Sequence, residues 1–406
     1  MVKYMEKMVE KLDDFGRGIT RIDNKVCFVK NALKDEVVEV EITSNKKKYM
    51  VGRSSKIITK SNERITPKCK YYELCGGCNL SHMTFNEENN FKIEKVKNIF
   101  RKFAGLDIDI KKINYKDEYY YRNKIVLRVK NNKLCLLEEN SNNYTPIDNC
   151  LLVNKKINKV ISKLEELLKD ENEIDKIMIR YSNYIDDVMI KVDGKVKNIS
   201  SFKDICSSLI INDKVISNEF LICSILDKKF YVSSDSFFQV NYDVVNMLYK
   251  KIIDVVKNNN SRRVLDLYCG VGSIGICVSD YVDEVFGVEV VEKAIESASK
   301  NKELNKVSNI SFKCGKVEDV INNDNVEYDT IIVDPPRSGV DKKAIEVLNN
   351  SETDTIIYVS CDPITLARDV KLLSNYQVKE VELFNMFPRT YHVECVSLLS
   401  RKTVEK

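Results

Sequence analysis

Apolar and polar positions alternate in short runs over the first 65 residues, as in "KVCFVK", "VVEVEITS" and "YMVGRSSKIIT". Gly16, Gly18, Asp23-Asn24, Asn31 and Gly52 punctuate these runs. Several two-period runs at this spacing predict a small β-barrel over residues 1–65. The period lengthens in "NEENNFKIEKVKNIFRKFAG", which predicts a helix with Phe91, Val96, Ile99 and Phe103 roughly on one face, ended by Gly105. Further on, strands ("KIVLRVK", "KIMIRYS", "DVMIKVDG", "FLICSIL", "KFYVSS") surround one helix around 155–169. Residues 66–235 therefore read as a central α+β domain. From 236 to 406 the runs "RRVLDLYCG", "EVFGVEV", "NISFKCG", "YDTIIVDPP" and "DTIIYVSC" alternate with helical segments. That alternation predicts an α/β domain built on a doubly wound, largely parallel Rossmann-like sheet.

Composition narrows the setting. The 406 residues can build two or three cores, and 43% hydrophobic with 31% charged residues is an ordinary soluble balance. No apolar run is long enough to span a membrane, and the charged start "MVKYMEKMVEKLDDF" has no signal core. Thirteen scattered cysteines, an odd number, argue for a reducing compartment, hence the cytoplasm.

Net charge is only +4, but it is uneven. Ile42 to Lys70 holds nine Lys or Arg against Glu63 alone. Lys92 to Lys133 holds thirteen bases against five acids, and includes "YYYRNKIVLRVK". Cations neutralise phosphates and aromatic faces accept unstacked bases, so RNA is one expected partner; a solvated lysine-rich surface is the other reading.

Three stretches carry chemistry. In "VLDLYCGVGSIGICV", Gly270, Gly272 and Gly275 match G-x-G-x-x-G after a strand and before a helix. Glu289 ends the next strand, where a carboxylate can hold ribose hydroxyls. The pattern fits NAD and S-adenosylmethionine equally, although Asp266 and Tyr268 ahead of the glycines resemble the S-adenosylmethionine loop of class I methyltransferases. In "IIVDPPRSG", Asp334-Pro335-Pro336 stiffens a loop at the carboxyl edge of the sheet. In "IIYVSCDP", Cys361 ends an apolar strand at a loop tip, a better place for a reactive thiol than the core. A thiol beside a methyl donor suits methylation of a pyrimidine C5, where addition at C6 makes C5 nucleophilic and a base then removes the C5 proton. "FPRTYHVECVSLL" reads as a final strand with His392 and Glu394 on one face, and a carboxylate in a closed site can serve as that base.

Together "DLYCGVGSIG", "SDSFFQVN", "DPPRSG", "YVSCDP" and "FPRTYHVE" resemble the RNA uracil-5-methyltransferase family, over nearly the whole chain. The resemblance implies Cys361 as nucleophile, Glu394 as proton acceptor, and Gln239, Tyr268, Glu289 and Asp334 as S-adenosylmethionine-binding residues. It implies that the N-terminal barrel is a TRAM domain, an RNA-binding module. Two positions depart from the family pattern: Asp362 stands where Asn is usual, and Asn385 where Asp is usual.

The stretch "KCKYYELCGGC" places Cys69, Cys75 and Cys78 together. In a reducing compartment they read as metal ligands, and a tetrathiolate zinc site or an iron–sulfur cluster would use the same residue types. The resemblance implies a 4Fe–4S cluster completed by Cys150 in "PIDNCLLV". A radical S-adenosylmethionine enzyme would normally have three residues between its first two cysteines, not five. The expected activity is methylation of uridine C5 in RNA, first of all 23S ribosomal RNA, with tRNA as the alternative, by a monomer without a membrane partner. A non-catalytic RNA-binding iron–sulfur protein would need neither Cys361 nor Glu394, and a nicotinamide oxidoreductase would not need the acid–Pro–Pro loop.

Overall fold

Runs that alternate in the sequence become strands buried on one face only. The computed structural model describes residues 4–139, 141–321 and 326–402. The chain divides into two compact units, the first made of residues 1–95, 137–145 and 387–392, and the second of the rest.

In the first unit six strands form one sheet: Tyr4–Met8, Lys11–Leu12, Gly18–Ile22, Lys25–Lys30, Val37–Asn45 and Tyr49–Thr59. They pair in the order first, fifth, sixth, fourth, third, second, and only Lys25–Lys30 with Tyr49–Thr59 is parallel. Three register shifts between Val37–Asn45 and Tyr49–Thr59 bend this pair, as bulges do. Ile22, Cys27, Val29, Val38, Val40 and Met50 fill the inner face. These ladders are open in order and do not by themselves close the barrel the sequence suggested. Arg64 leaves the expected basic surface: its guanidinium binds the fully buried Glu36 at 2.5 and 2.6 Å.

The predicted helix runs over Phe85–Ile99 and continues as a π-helical turn, Phe100–Ala104. Gly105 ends it at φ 72°, donating its N–H to Phe100 O.

The central strands Lys133–Leu137, Lys124–Lys130, Glu173–Ser182, Asp187–Lys195, Ser208–Ile211 and Lys214–Ser217 lie side by side in that order, all in the second unit but for Leu137. Helix Lys155–Leu167, capped by Asn154 on the Lys156 N–H at 2.8 Å, buries Ile157, Val160, Ile161 and Leu164. It packs against Glu173–Ser182 and Asp187–Lys195. Tyr121 of the tyrosine run is buried and so cannot offer its face to a base.

The doubly wound sheet of the same unit orders its strands Ile310–Cys314, Glu284–Glu289, Arg263–Leu267, Thr330–Val333, Thr355–Ser360, Glu394–Arg401, Tyr376–Phe384 and Ile113–Asn114. The first five are mutually parallel, and Glu394–Arg401 enters antiparallel to Thr355–Ser360. The order reverses beside Arg263–Leu267, which places a crevice at the carboxyl ends of the parallel strands. The last strand starts at Glu394, so the shared strand face expected for His392 and Glu394 does not form; His392 belongs to the segment that clusters with the first unit. Among the described residues no helix is long and apolar enough to cross a membrane.

Candidate active site

The crevice takes its shape from the turn after Arg263–Leu267. Tyr268, Gly270 and Gly272 all have positive φ, at 61°, 55° and 77°. At Gly272 a side chain would also collide with Phe312, 2.7 Å from the would-be Cβ, so glycine is required there on both counts. Around Gly270 nothing lies within 4 Å of that position, which leaves its backbone open to a ligand. Asp266, fully buried, accepts the Gly275 N–H through Oδ2 at 2.9 Å and so ties the strand to the helix that follows. Its Oδ1 is buried with no hydrogen-bond partner among the described residues. Burial first, then the charges of Asp334 and Glu289, pushes the Asp266 carboxyl up to about 7 against the Gly275 bond, which lowers it. Glu289, at the end of its strand, accepts N–H groups from Gly270 (3.2 Å) and Val291 (2.9 Å).

Asp334 follows Val333, donating its N–H to Leu267 O at 3.3 Å. Its carboxyl is pushed up to about 7 by burial. The loop beyond is held by Asp369, whose Oδ2 accepts the Val340 N–H (2.8 Å) and the Tyr358 hydroxyl (2.7 Å). Gly339 (φ 79°) closes it, where a Cβ would sit 2.5 Å from Asp369 Oδ2. Asp369 was invisible to pattern reading, because a helical acid six residues after Pro363 looks like any solvated one.

Cys361 and Glu394 meet through strand register. Ser360 pairs with Cys395 at the end of the antiparallel ladder. The next residue on each strand is Cys361 on one and Glu394 on the other. Glu394 is 4% exposed, and its carboxyl is pushed up to about 8 by burial and by Asp334, with Arg337 pulling the other way. The half-buried Cys361 thiol is pushed up to about 11, by burial first and then by Glu394 and Asp334, while the charge and hydrogen bond of Arg337 oppose this. Arg337 stands in the quoted "DPPRSG", yet the sequence alone gave it no role. Asp362 caps helix Pro363–Leu372, its Oδ1 accepting N–H groups from Ile364 (2.8 Å) and Thr365 (3.3 Å). Asp and Asn serve equally as N-caps, so this departure from the family pattern keeps the loop's geometry. Asn385 is fully buried and donates its N–H to Asn114 O at 2.8 Å.

Gln239 lies just before helix Tyr242–Asn258, and its carbonyl accepts Asn123 Nδ2 at 2.9 Å. Neighbouring Phe237 is 76% exposed. A cavity of 680 Å³ at the opposite, amino edge of the sheet contains none of these residues; Arg262 and Asp283 in its wall pair at 2.6 Å.

Cys69, Cys75 and Cys78 share one loop of the first unit, while Cys150 belongs to the second. Cys75 Sγ accepts the Gly77 N–H at 3.3 Å. Among the described residues no group of three or more His, Cys, Asp or Glu side chains is gathered closely enough to hold a metal ion. No cysteine is in a disulfide.

The family model for tRNA (Uracil-5-)-methyltransferase matches residues 207–402, and that for the TRAM domain matches residues 3–53. An uncharacterised RNA methyltransferase of Staphylococcus aureus (strain MSSA476) is 33% identical, over 95% of this chain and 96% of its own length. One from Clostridium tetani is also 33% identical, over 95% and 94%. The crystal structure of Pyrococcus abyssi tRNA (uracil-54, C5)-methyltransferase in complex with S-adenosyl-L-homocysteine superposes with a TM-score of 0.81 at 28% identity, covering 97% of this chain and 99% of that one.

Proposed function

Because the chain belongs to the RNA uracil-5-methyltransferase family, we propose that it methylates uridine C5 in RNA through a covalent bond from Cys361 to C6. The observation that carries this reading is the ladder register that ends with Cys361 beside Glu394. S-adenosylmethionine supplies an electrophilic methyl group when bound. The crevice suits that cation: Asp266 carries an unpartnered buried oxygen, Asp334 and Glu289 add acidic groups, and the open backbone at Gly270 admits close approach. Tyr268, Glu289, Asp334 and Gln239 are the residues we assign to holding it.

Cys361 sulfur adds to C6, and the displaced π electrons form an enolate across C5 and the C4 oxygen. C5 takes the methyl group, and the electrons of the broken carbon–sulfur bond stay with the donor's sulfur. Glu394 takes the C5 proton. The electrons released reform the C5–C6 double bond and expel Cys361 as thiolate. Arg337 steadies the thiolate. The target must leave its stack for attack at C6.

The first test is the order of these steps. Glu394→Gln should add and methylate, then stall as a protein–RNA adduct on a denaturing gel. Cys361→Ala should form neither adduct nor product, and the double variant should match it. Normal turnover by Glu394→Gln would pass the base's role to another group.

For the target we propose 23S ribosomal RNA, on the resemblance that joins a TRAM domain to a cysteine cluster. The likeness to the Pyrococcus tRNA enzyme supports tRNA as a second reading. Mapping 5-methyluridine in both RNA pools of a deletion strain decides between them. We further propose that Cys69, Cys75, Cys78 and Cys150 hold a 4Fe–4S cluster with no part in methyl transfer. Support comes from the family resemblance and from the N–H donated to Cys75 sulfur, a bond that suits a thiolate ligand. Anaerobically purified protein should be brown, with equal iron and acid-labile sulfide, and Cys150→Ser should lose the colour. Zinc without sulfide would replace this reading with a tetrathiolate site.

A further inference from the structure

Strand Lys124–Lys130 belongs to the central sheet, and side chains two apart share a face. One face, with Ile125, Leu127 and Val129, is buried. The other carries Lys124, Val126, Arg128 and Lys130, and all but the half-buried Lys124 are exposed. Helix Lys155–Leu167 packs against the neighbouring strands. The open row continues around the two-residue turn Asn131-Asn132, both with positive φ, to the exposed Lys133, which pairs with Lys130.

The inner end of the row meets the segment that precedes helix Tyr242–Asn258. Lys124 pairs in register with Arg180 on the next strand. Arg180, 2% exposed, donates through Nη2 to Ser236 O at 2.8 Å, while its buried Nη1 has no partner among the described residues. Lys191 reaches Asp235 at 2.8 Å, and Asn123 reaches the Gln239 carbonyl. The row thus starts beside the segment that carries Phe237 and Gln239. Burial, with Arg180, Lys191 and Arg122 crowding around it, pulls the Lys124 ammonium down to about 8, although Asp235 opposes this. So much positive charge on one flank favours an anion.

From this geometry we infer that the open face of Lys124, Arg128, Lys130 and Lys133 is a track for the phosphate backbone of single-stranded RNA flanking the target uridine. Six residues of strand advance ~20 Å, and same-face side chains recur every ~6.8 Å. Such a row can follow an extended backbone over a few nucleotides. Val126, 47% exposed between the cations, offers an apolar patch to a sugar or base. Elsewhere on this face Lys176 pairs with Asp193, and Lys191 with Asp213 and Asp235. Arg128 and Lys130, exposed at the outer end, dominate what is presented to solvent. The inference rests on the proposed RNA methylation.

The test compares Arg128→Gln/Lys130→Gln with Lys159→Gln/Lys163→Gln, a pair of exposed lysines on helix Lys155–Leu167 that removes equal charge. Full-length enzyme is titrated with oligouridylates of about 4 and about 16 nucleotides across a salt series. The first pair should weaken binding of the longer probe about tenfold and flatten its log–log salt slope by ~1.4, or 0.7 per lost phosphate contact. The short probe, kcat at saturating RNA, S-adenosylmethionine affinity and melting temperature should stay at wild-type values. The helix pair should change none of these. Equal effects of the two pairs on the long probe overturn the track. So does an equal loss on both probes, because that would place the contact at the target itself. Failure of the unaltered enzyme to bind RNA would instead overturn the proposed function, and the track with it.

Discussion

Cys361 and Glu394 are both held away from their reactive forms at neutral pH. The thiol, near 11, must lose a proton before it attacks, and the carboxyl, near 8, must be ionised before it accepts one. Both steps therefore speed up as pH rises. Adduct formation should climb through the whole accessible range, while adduct release by Glu394 should level off above about 8. Arg337 is the cation that lowers both groups. Arg337→Ala should slow adduct formation at pH 8 by about tenfold for each unit the thiol rises. It should also move both pH profiles upward, and Arg337→Lys should restore part of the shift. A tenfold loss with an unmoved profile would mean that Arg337 only shapes the loop. Sequence motifs located the nucleophile and the base because each sits at a strand end inside a distinctive run. They did not reveal Arg337 or Asp369, whose roles depend on partners 24 and 29 residues away in the chain and on burial that no pattern displays.

At the level of elements, the site depends on how one helix begins. Asp362 both follows the nucleophile and caps Pro363–Leu372. Asp362→Asn should be nearly neutral in stability and activity, whereas Asp362→Ala should cost about 1 kcal/mol, measured by chemical denaturation, and slow adduct formation by freeing the Cys361 loop. Of the five parallel strands, Thr330–Val333 and Thr355–Ser360 were readable as near-continuous apolar runs, whereas Ile310–Cys314, with Ser311 and Lys313 in it, was readable from the strand–helix alternation around it. The last strand was readable in kind but not in start: "FPRTYHVE" continues the alternation backwards past Glu394, and only the ladder with Thr355–Ser360 shows where pairing ends. The helix ending at Gly105 was readable too, but not its final π-helical turn, since a widened turn leaves the hydrophobic spacing almost unchanged.

Across the whole molecule, buried acids tie stability to pH. Asp266 and Asp334 titrate near 7 and Glu394 near 8 in the folded chain, well above the ordinary carboxyl range. The folded state therefore holds protons that the unfolded state has already released. Its stability is fullest below about pH 4 as far as these groups are concerned, and it is lost as pH rises toward 8. The melting temperature of ligand-free enzyme should fall between pH 5 and 8, and Asp334→Asn should make the fall shallower. A bound cation would draw those protons off. Affinity for S-adenosylmethionine should accordingly rise with pH below 7 more steeply than affinity for its uncharged-sulfur product, by up to about tenfold per pH unit for each proton released. Calorimetry in buffers of differing ionisation heat would count the protons, and identical pH dependence for the two ligands would remove the acids from that role.

The division of the chain into units has a consequence for anyone who wishes to take the enzyme apart. The first unit draws on three separate stretches, and the third of them, 387–392, ends two residues before Glu394, the strand partner of Phe384. Gene fusion and truncation work with contiguous segments, and within the first unit the sheet of strands from Tyr4 to Thr59 is one. Extended to Arg64, which keeps the partner of the buried Glu36, that segment should transplant as a cassette. The rest of the first unit and the whole of the second cannot be exchanged between homologues by a single crossover, because any cut that frees one leaves the other without a length of its own backbone. Shuffled chimaeras should therefore survive with junctions just after Arg64 and fail with junctions between 96 and 386, so that recombination treats most of this protein as indivisible.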